Sequence, residues 1–517
     1  MVGKVLAADL CSVIRLPMPD HSAAKNRLPG QILFWLALAV VLGLRLWRLD
    51  EVGAPDHDSV RNWQMVLEVA HGDLTHLFHR GSPGSLLAFV PLAWLRHDFL
   101  AFQVFNAMLA VLALGWFVSW VRREARLADW EAAGLLLLAG TSLLLTFSGR
   151  DFTMGSGSLL LWVGLVRSHY RRLRQPGPAA LLRTVGWLVA GLVFSYKFLF
   201  TLPILAVLEL WQRDGLLLRR GLWWRAAALL AAPYVLLMPL GALGGVPWYR
   251  WWAFYIRTVV PAAPNVAGRQ GTMHLDLLYY PRYLLQFESP LLLLGLAAAL
   301  WLVLRRERLR PGRPLSIQAY LLAWAGCLLA GMSLLIKAPR GLLLAYLPLA
   351  ALVVLSGRRL LPRWALGGLL AASTTLGVLR IQHELYARLP TRYPQVAAWL
   401  RARGATRVAS TVGLGLTPYL APGQTLAPIL DERELGRLRR QGYQYVLLDG
   451  YWRAANIRHF DSLRRQPPLA AWPEPALTAP LLFLEHSEYT GLGYDATHSL
   501  QREAARDPAQ LRIYRLQ

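Results

Sequence analysis

In the stretch Pro55-Asp56-His57-Asp58-Ser59 two carboxylates flank an imidazole. Such a set can take a proton from a hydroxyl or hold a divalent metal ion. Solvated loop charge has the same composition, and Asp-x-Asp alone does not separate the readings. Further on, Ser148-Gly149-Arg150-Asp151 sets a guanidinium beside another acid. That pair reads as a neutralised cap at a helix end or as the lining of a cavity shared with Asp58. Three cations follow at the edges of apolar runs: Lys197 in Phe194-Ser195-Tyr196-Lys197, and Lys337 and Arg340 in Lys337-Ala338-Pro339-Arg340. Ionisable groups there are costly and often functional, and a guanidinium matches the oxygen fork of a phosphate. Snorkelling to ordinary phospholipid heads is the plainer alternative for all of them. His71, His76 and His79 decorate the loop after Asp58. A metal site from Asp56, Asp58 and His79 or His76 competes with that polar-loop reading.

The elements that position these groups are apolar runs. The chain has 517 residues, 55% of them apolar, and a run of roughly 20 mostly apolar residues crosses a bilayer. Gln31–Leu49, Phe99–Val121, Arg225–Leu243, Ser289–Leu304, Ser316–Ile336 and Trp364–Leu379 come close to that length. The formal charge of +25 sits in arginine clusters between the runs. It therefore reads as membrane topology and lipid-phosphate contact rather than nucleic-acid binding. Clusters around Arg122, Arg171, Arg219, Arg305 and Arg358 all fall on one side if the turns at Gly149–Thr153, Ser195–Lys197 and Lys337–Arg340 touch the other. Ser85–Leu95 is short and ends in Arg96-His97-Asp98, so it is read as a helix on the membrane surface. About eleven spans remain, with the N-terminus cytoplasmic and the C-terminus outside. The first run reads as a retained anchor. The two cysteines, Cys11 and Cys327, do not form a plausible disulfide pair.

The chain divides into a cytoplasmic segment 1–30, a membrane core 31–380 with external loops 50–98 and 244–288, and an external domain 381–517. The second loop is crowded with aromatic residues from Trp248 to Tyr255 and again at Tyr279, Tyr280 and Tyr283. It reads equally as a helix at the headgroup level or as a roof over a lipid-substrate cavity. In the last segment, helices are expected over Pro394–Arg403 and Asp431–Gln441. Strands are expected over Arg407–Thr411, Tyr443–Leu448, Leu481–Glu485 and Leu511–Leu516. This alternation predicts a small α/β domain.

Taken together, these residues resemble the integral-membrane GT-C glycosyltransferases, in particular the protein mannosyltransferase and aminoarabinose-transferase group. The likeness covers about Leu42–Leu355. It is carried by Asp58-Ser59 through Gly72-Asp73 to Ser82-Pro83-Gly84, by Arg150-Asp151, by Phe194–Lys197 before Leu202-Pro203, and by Arg340 before Leu347-Pro348. The chain departs where Ser59 replaces a glutamate, where Ser82-Pro83-Gly84 replaces Lys-Pro-Pro, and where Gly341 replaces a tyrosine. The departures speak against the aminoarabinose substrate.

The resemblance implies sugar transfer, with inversion, from a polyprenyl-phosphate donor to a lipid, glycan or protein acceptor. The setting it implies is the outer face of a bacterial cytoplasmic membrane. Asp58, with Asp56 in reserve and Asp151 nearby, is then the acid-base group. Lys197 and Arg340, with Lys337 and Arg150, are then the contacts to the donor phosphate. A divalent ion is an optional cofactor. A multi-span transporter or flippase for a lipid-linked or anionic substrate is the competing reading. No internal repeat supports it, and the unusual charges gather at one face rather than at mid-membrane.

Overall fold

An apolar run in a bilayer satisfies its backbone only within itself, as an α-helix, or in a closed barrel. The runs of this chain form helices. The computed structural model describes residues 28–52, 57–78, 82–213, 219–246, 275–306, 311–312, 314–335, 337–411, 414–429, 431–449, 454 and 460–516. The first helices are α1 (Leu28–Leu46), α2 (His57–Ala70), α3 (Gly84–Leu95), α4 (Phe99–Ala125) and α5 (Asp129–Gly140). Next come α6 (Leu143–Arg150), α7 (Gly155–Arg174), α8 (Pro178–Phe194), α9 (Leu202–Gln212) and α10 (Arg220–Leu243). The core ends with α11 (Tyr279–Phe287), α12 (Leu291–Arg306), α13 (Ile317–Leu334), α14 (Leu343–Leu360) and α15 (Arg363–Glu384).

Among the described residues, six helices are long and apolar enough to cross a membrane, and the bent pair α5–α6 makes a seventh. The chain is thus a multi-pass membrane protein. The remaining core helices α7, α8, α9 and α12 are shorter or more charged, so among the described residues six or seven of the eleven expected crossings meet the length and hydropathy a span requires. The segment read as a surface helix is α3, which has 12 residues, too few to span. It packs on α2 and α8.

The break in the third crossing is built by named side chains. Between α5 and α6 the axis bends by 65°, which strands backbone donors at the new helix start. Glu288, buried at 3% exposure, takes them: its carboxylate accepts from Leu144 N at 2.7 Å, Leu143 N at 3.1 Å and Ser142 Oγ at 3.2 Å. Tyr346 and Tyr283 hydroxyls donate to the same group at 2.8 and 3.2 Å. On the other side of the break, buried Arg45 of α1 donates to the Gly140 carbonyl at 3.0 Å. The bend aims α6 so that its last residue, Arg150, meets the end of α1.

After the core, the chain forms α16 (Tyr393–Ala402), β1 (Arg407–Thr411), β2 (Thr425–Ile429), α17 (Leu435–Arg440) and β3 (Tyr445–Leu448). It continues with α18 (Asp461–Arg465), β4 (Ala470–Pro473), α19 (Pro480–Glu485), α20 (Ser487–Thr490), α21 (Tyr494–Ala504) and β5 (Gln510–Arg515). The sheet order is β2-β1-β3-β5-β4. β1 is parallel to β2 and β3, while β5 is antiparallel to β3 and β4. Its core holds Tyr393, Val396, Leu400, Val408, Leu447 and Ile513.

One expectation is corrected here. Leu481–Glu485 is not a strand but most of helix α19. Its apolar residues serve two partners: Leu481 and Leu484 join the core of the membrane helices, and Leu482 and Phe483 join the core of the sheet domain. On a helix Leu481 and Leu484, at i and i+3, share one side and Leu482 and Phe483 turn away from it, whereas a strand of period two would put Leu481 and Leu484 on opposite faces.

Candidate active site

Asp58 stands in the first turn of α2, where unpaired backbone N–H groups favour a carboxylate. One turn further, Arg61 pairs with Glu68 at 2.8 Å, and Glu68 lies 2.8 Å from His76 Nδ1. His76, in the turn that follows, is therefore engaged by an acid of α2. Asp56 and His79 lie outside the described residues, as does the aromatic stretch from Trp248 to Tyr255. Among the described residues, no group of three His, Cys, Asp or Glu side chains is arranged to hold a metal ion.

Asp151 follows α6 and is 6% exposed. Its carbonyl accepts from Asn106 Nδ2 at 2.6 Å, and its Oδ1 accepts from Phe152 N at 3.0 Å. Arg150 turns the other way. Its guanidinium donates to the carbonyls of Arg45, Trp47 and Arg48 at 3.1, 2.7 and 3.2 Å, and it lies over the Tyr386 ring at 5.2 Å. This closes the carbonyl end of α1, where a cation belongs.

Lys197 sits in a 3-10 turn, Tyr196–Thr201, whose start is capped by Ser195 Oγ accepting from Lys197 N at 3.4 Å. Phe194, Phe152 and Val60 belong to one apolar cluster, with Tyr196 and Leu199 packed against it. Asp58, Asp151 and Lys197 thus flank a single cluster, each within three residues of a member. Leu414 of the sheet domain belongs to the same cluster, so this is the face that carries the C-terminal domain.

Lys337 and Arg340 lie on that face too. Arg340 Nε donates to Glu485 Oε2 at 2.8 Å, and Ser487 Oγ donates to the Lys337 carbonyl. The Lys337 ammonium donates to Leu335 O at 2.7 Å, and burial pulls its pKa below the usual lysine value, opposed by Asp276. Gly341 has a local reason: a Cβ there would collide with the Tyr280 hydroxyl. The tyrosine expected after Arg340 is excluded because a tyrosine from α11 already fills the space. Tyr279, Tyr280 and Tyr283 are fully buried, which overturns the headgroup-level alternative for these three residues. Tyr279 Oη lies 2.9 Å from Ser487 Oγ, so α11 is a seat for the C-terminal domain.

A cleft opens between the two parts of the chain, lined by Val52, Asp151, Glu384, Arg388, Leu481 and Leu482 among others. Sequence reasoning missed Arg61, Glu384 and Arg388. Arg61 carries a usable signal, since i, i+3 spacing puts it on the face of Asp58.

Fold and site define a class: a multi-pass helical membrane protein with an α/β domain seated on the end where acids and cations gather. No protein-family model and no curated protein sequence matches the chain. Among solved structures it is similar to ArnT from Cupriavidus metallidurans. The crystal structure of that protein bound to undecaprenyl phosphate aligns at 15% identity with a TM-score of 0.49, covering 87% of this chain and 96% of that one. The crystal structure in the apo state aligns at 17% identity with a TM-score of 0.44, covering 92% and 78%.

Proposed function

We propose that the protein transfers a sugar from a polyprenyl-phosphate donor to a hydroxyl acceptor on the membrane face that carries the C-terminal domain. The supporting observation is that Asp58, Asp151 and Lys197 adjoin members of one apolar cluster at that face, and that Asp151 also lines the cleft the C-terminal domain helps to form. A lipid-borne substrate reaches such a place within the bilayer plane, with its anionic head level with the cations.

In this reading the acceptor oxygen attacks the anomeric carbon as the bond from that carbon to the phosphate oxygen breaks. The bonding pair leaves with the lipid phosphate, and the acceptor proton passes to Asp58, with Asp56 in reserve. One displacement inverts the anomeric centre. Fixed cations lower the barrier because negative charge grows on the leaving phosphate. Lys197 and Arg340 take that role, with Lys337 behind them. Arg150 serves the end of α1, so its contribution is to place Asp151.

The transport reading rests on broken helices whose exposed N-termini receive a substrate anion. Here the N-terminus of α6 is taken by the protein's own Glu288, which leaves the break to shape the site instead. The test uses purified protein with polyprenyl-phosphate hexoses and pentoses and a hydroxyl acceptor. Polyprenyl phosphate is released by the native chain and not by a folded Asp58→Asn variant. Full turnover by that variant removes the acid-base assignment.

A further inference from the structure

The last membrane helix carries a second candidate site on its lipid-facing side. α15 starts at Arg363, at the end away from the C-terminal domain, and Arg380 stands about 26 Å further along it at about 1.5 Å per residue. That distance is close to the roughly 30 Å of a hydrocarbon layer. Arg380 therefore lies at headgroup level on the face that carries the C-terminal domain. There a groove of about 250 Å³ is lined by Phe287 of α11, by Leu379, Arg380, His383 and Glu384 of α15, and by Pro480 of α19, among others. This is many times the roughly 10–15 Å³ that a single water needs. Leu379 and the neighbouring Leu285 and Val378 are exposed large apolar residues, so the groove opens toward lipid.

Two opposite charges in the groove are incompletely matched by protein. Arg380 Nη2 donates to the Leu285 carbonyl at 3.0 Å, one of the last carbonyls of α11. Its Nη1 is enclosed and has no acceptor among the described residues. Glu288 acts on Arg380 from the interior, but its oxygens already accept from two amides and three hydroxyls. Glu384 follows at i+4, on the same side of the helix. Its Oε1 lies 2.9 Å from His383 Nδ1. Its Oε2 is enclosed without a hydrogen bond, and Arg388 Nη2 stands 3.7 Å from it. Enclosed ions lacking their hydrogen bonds are costly. A ligand relieves both if it brings oxygens to the guanidinium fork and N–H donors to the carboxylate. Ethanolamine phosphate carries those two groups one ethylene unit apart, whereas the trimethylammonium of choline has no N–H to give. We propose that this groove binds the headgroup of a phosphatidylethanolamine from the leaflet beside the C-terminal domain, with its phosphate on Arg380 and its ammonium on Glu384. Glu384 also borders the cleft of Asp151, but occupancy of the groove does not depend on sugar transfer.

The test is lipid retention by the full-length protein in nanodiscs of equal parts phosphatidylethanolamine, phosphatidylcholine and phosphatidylglycerol, read by native mass spectrometry. The native chain should retain phosphatidylethanolamine about tenfold over phosphatidylcholine, the range of a charge-assisted hydrogen bond. Arg380→Gln should lower that retention about tenfold, and Glu384→Gln should abolish the preference over phosphatidylcholine. Leu379→Trp fills the groove from an exposed position and leaves both charges in place. It should release the lipid, and it keeps the test available if the substitution at Arg380 prevents folding. Preferential retention of phosphatidylglycerol that disappears in Arg380→Gln assigns the groove to an anionic headgroup and overturns the ethanolamine. Equal retention of phosphatidylethanolamine and phosphatidylcholine by the native chain overturns the contact to Glu384. Equal retention of every lipid by native and Leu379→Trp protein overturns the site itself.

Discussion

Arg340 grips Glu485 twice, with Nε on the carboxylate at 2.8 Å and Nη2 on the backbone carbonyl at 3.2 Å. The contact joins the last outer turn of the membrane core to α19. The Glu485 side chain is 3% exposed and that of Arg340 is 19% exposed, so removing one partner leaves the other charge in a poor solvent. Glu485→Ala should cost about 3 kcal/mol. It should show as a lower unfolding midpoint and faster proteolysis between Glu384 and Tyr393. An unchanged midpoint would mean that the domain is held by its apolar contacts alone.

The same guanidinium is assigned to the donor phosphate. Arg340→Ala should therefore raise the KM for the polyprenyl-phosphate donor about tenfold or more, the range of a charge-assisted hydrogen bond, and leave the acceptor KM nearly unaltered. Equal effects on both substrates would contradict a phosphate contact.

Glu288 holds the bend in the third crossing. Its replacement by alanine strands the Leu143 and Leu144 amides and two tyrosine hydroxyls in the interior, at about 1–3 kcal/mol for each unsatisfied group. A fall in the unfolding midpoint far larger than for Glu485→Ala is expected. A mild effect would show that the bend is maintained by packing.

Glu474 predicts a pH dependence in the C-terminal domain. Burial holds its carboxyl at about 7 against an ordinary 4.5, while donation from Arg392 N and Thr391 Oγ1 opposes the shift. The folded chain then keeps a proton that the unfolded chain has already lost between those two values. Stability is highest below pH 4.5 as far as this group is concerned, falls through the window and levels above about pH 7. The loss is on the order of 3 kcal/mol. Thermal unfolding at pH 5 and pH 8 should differ accordingly, and Glu474→Gln should narrow the gap.

Much of this was legible in the sequence, for reasons that can be stated. The spans show because the apolar runs exceed what a soluble core needs, and β1 falls on Arg407–Thr411 as expected because its pattern is local. Asp58, Asp151 and Lys197 are singled out in the sequence by their places at the ends of apolar runs, and their roles remain the proposal made above. Helix α19 did not show, because its two faces are defined by two different domains. Glu288 was hidden for a similar reason: its donors lie about 145 and 58 positions away in the chain, and a lone glutamate before an apolar run reads as a loop charge. The burial of Tyr279 depends on α19 and α20 arriving over it, which no spacing announces.

The most direct test of the account is made on lipids. Cells whose only copy of the protein carries Asp58→Asn should accumulate a polyprenyl-phosphate sugar to the level of a deletion strain, seen by mass spectrometry of the membrane lipids, and cells with the native chain should not. A lipid profile indistinguishable from the native strain, with the variant present and folded, would contradict sugar transfer at this site.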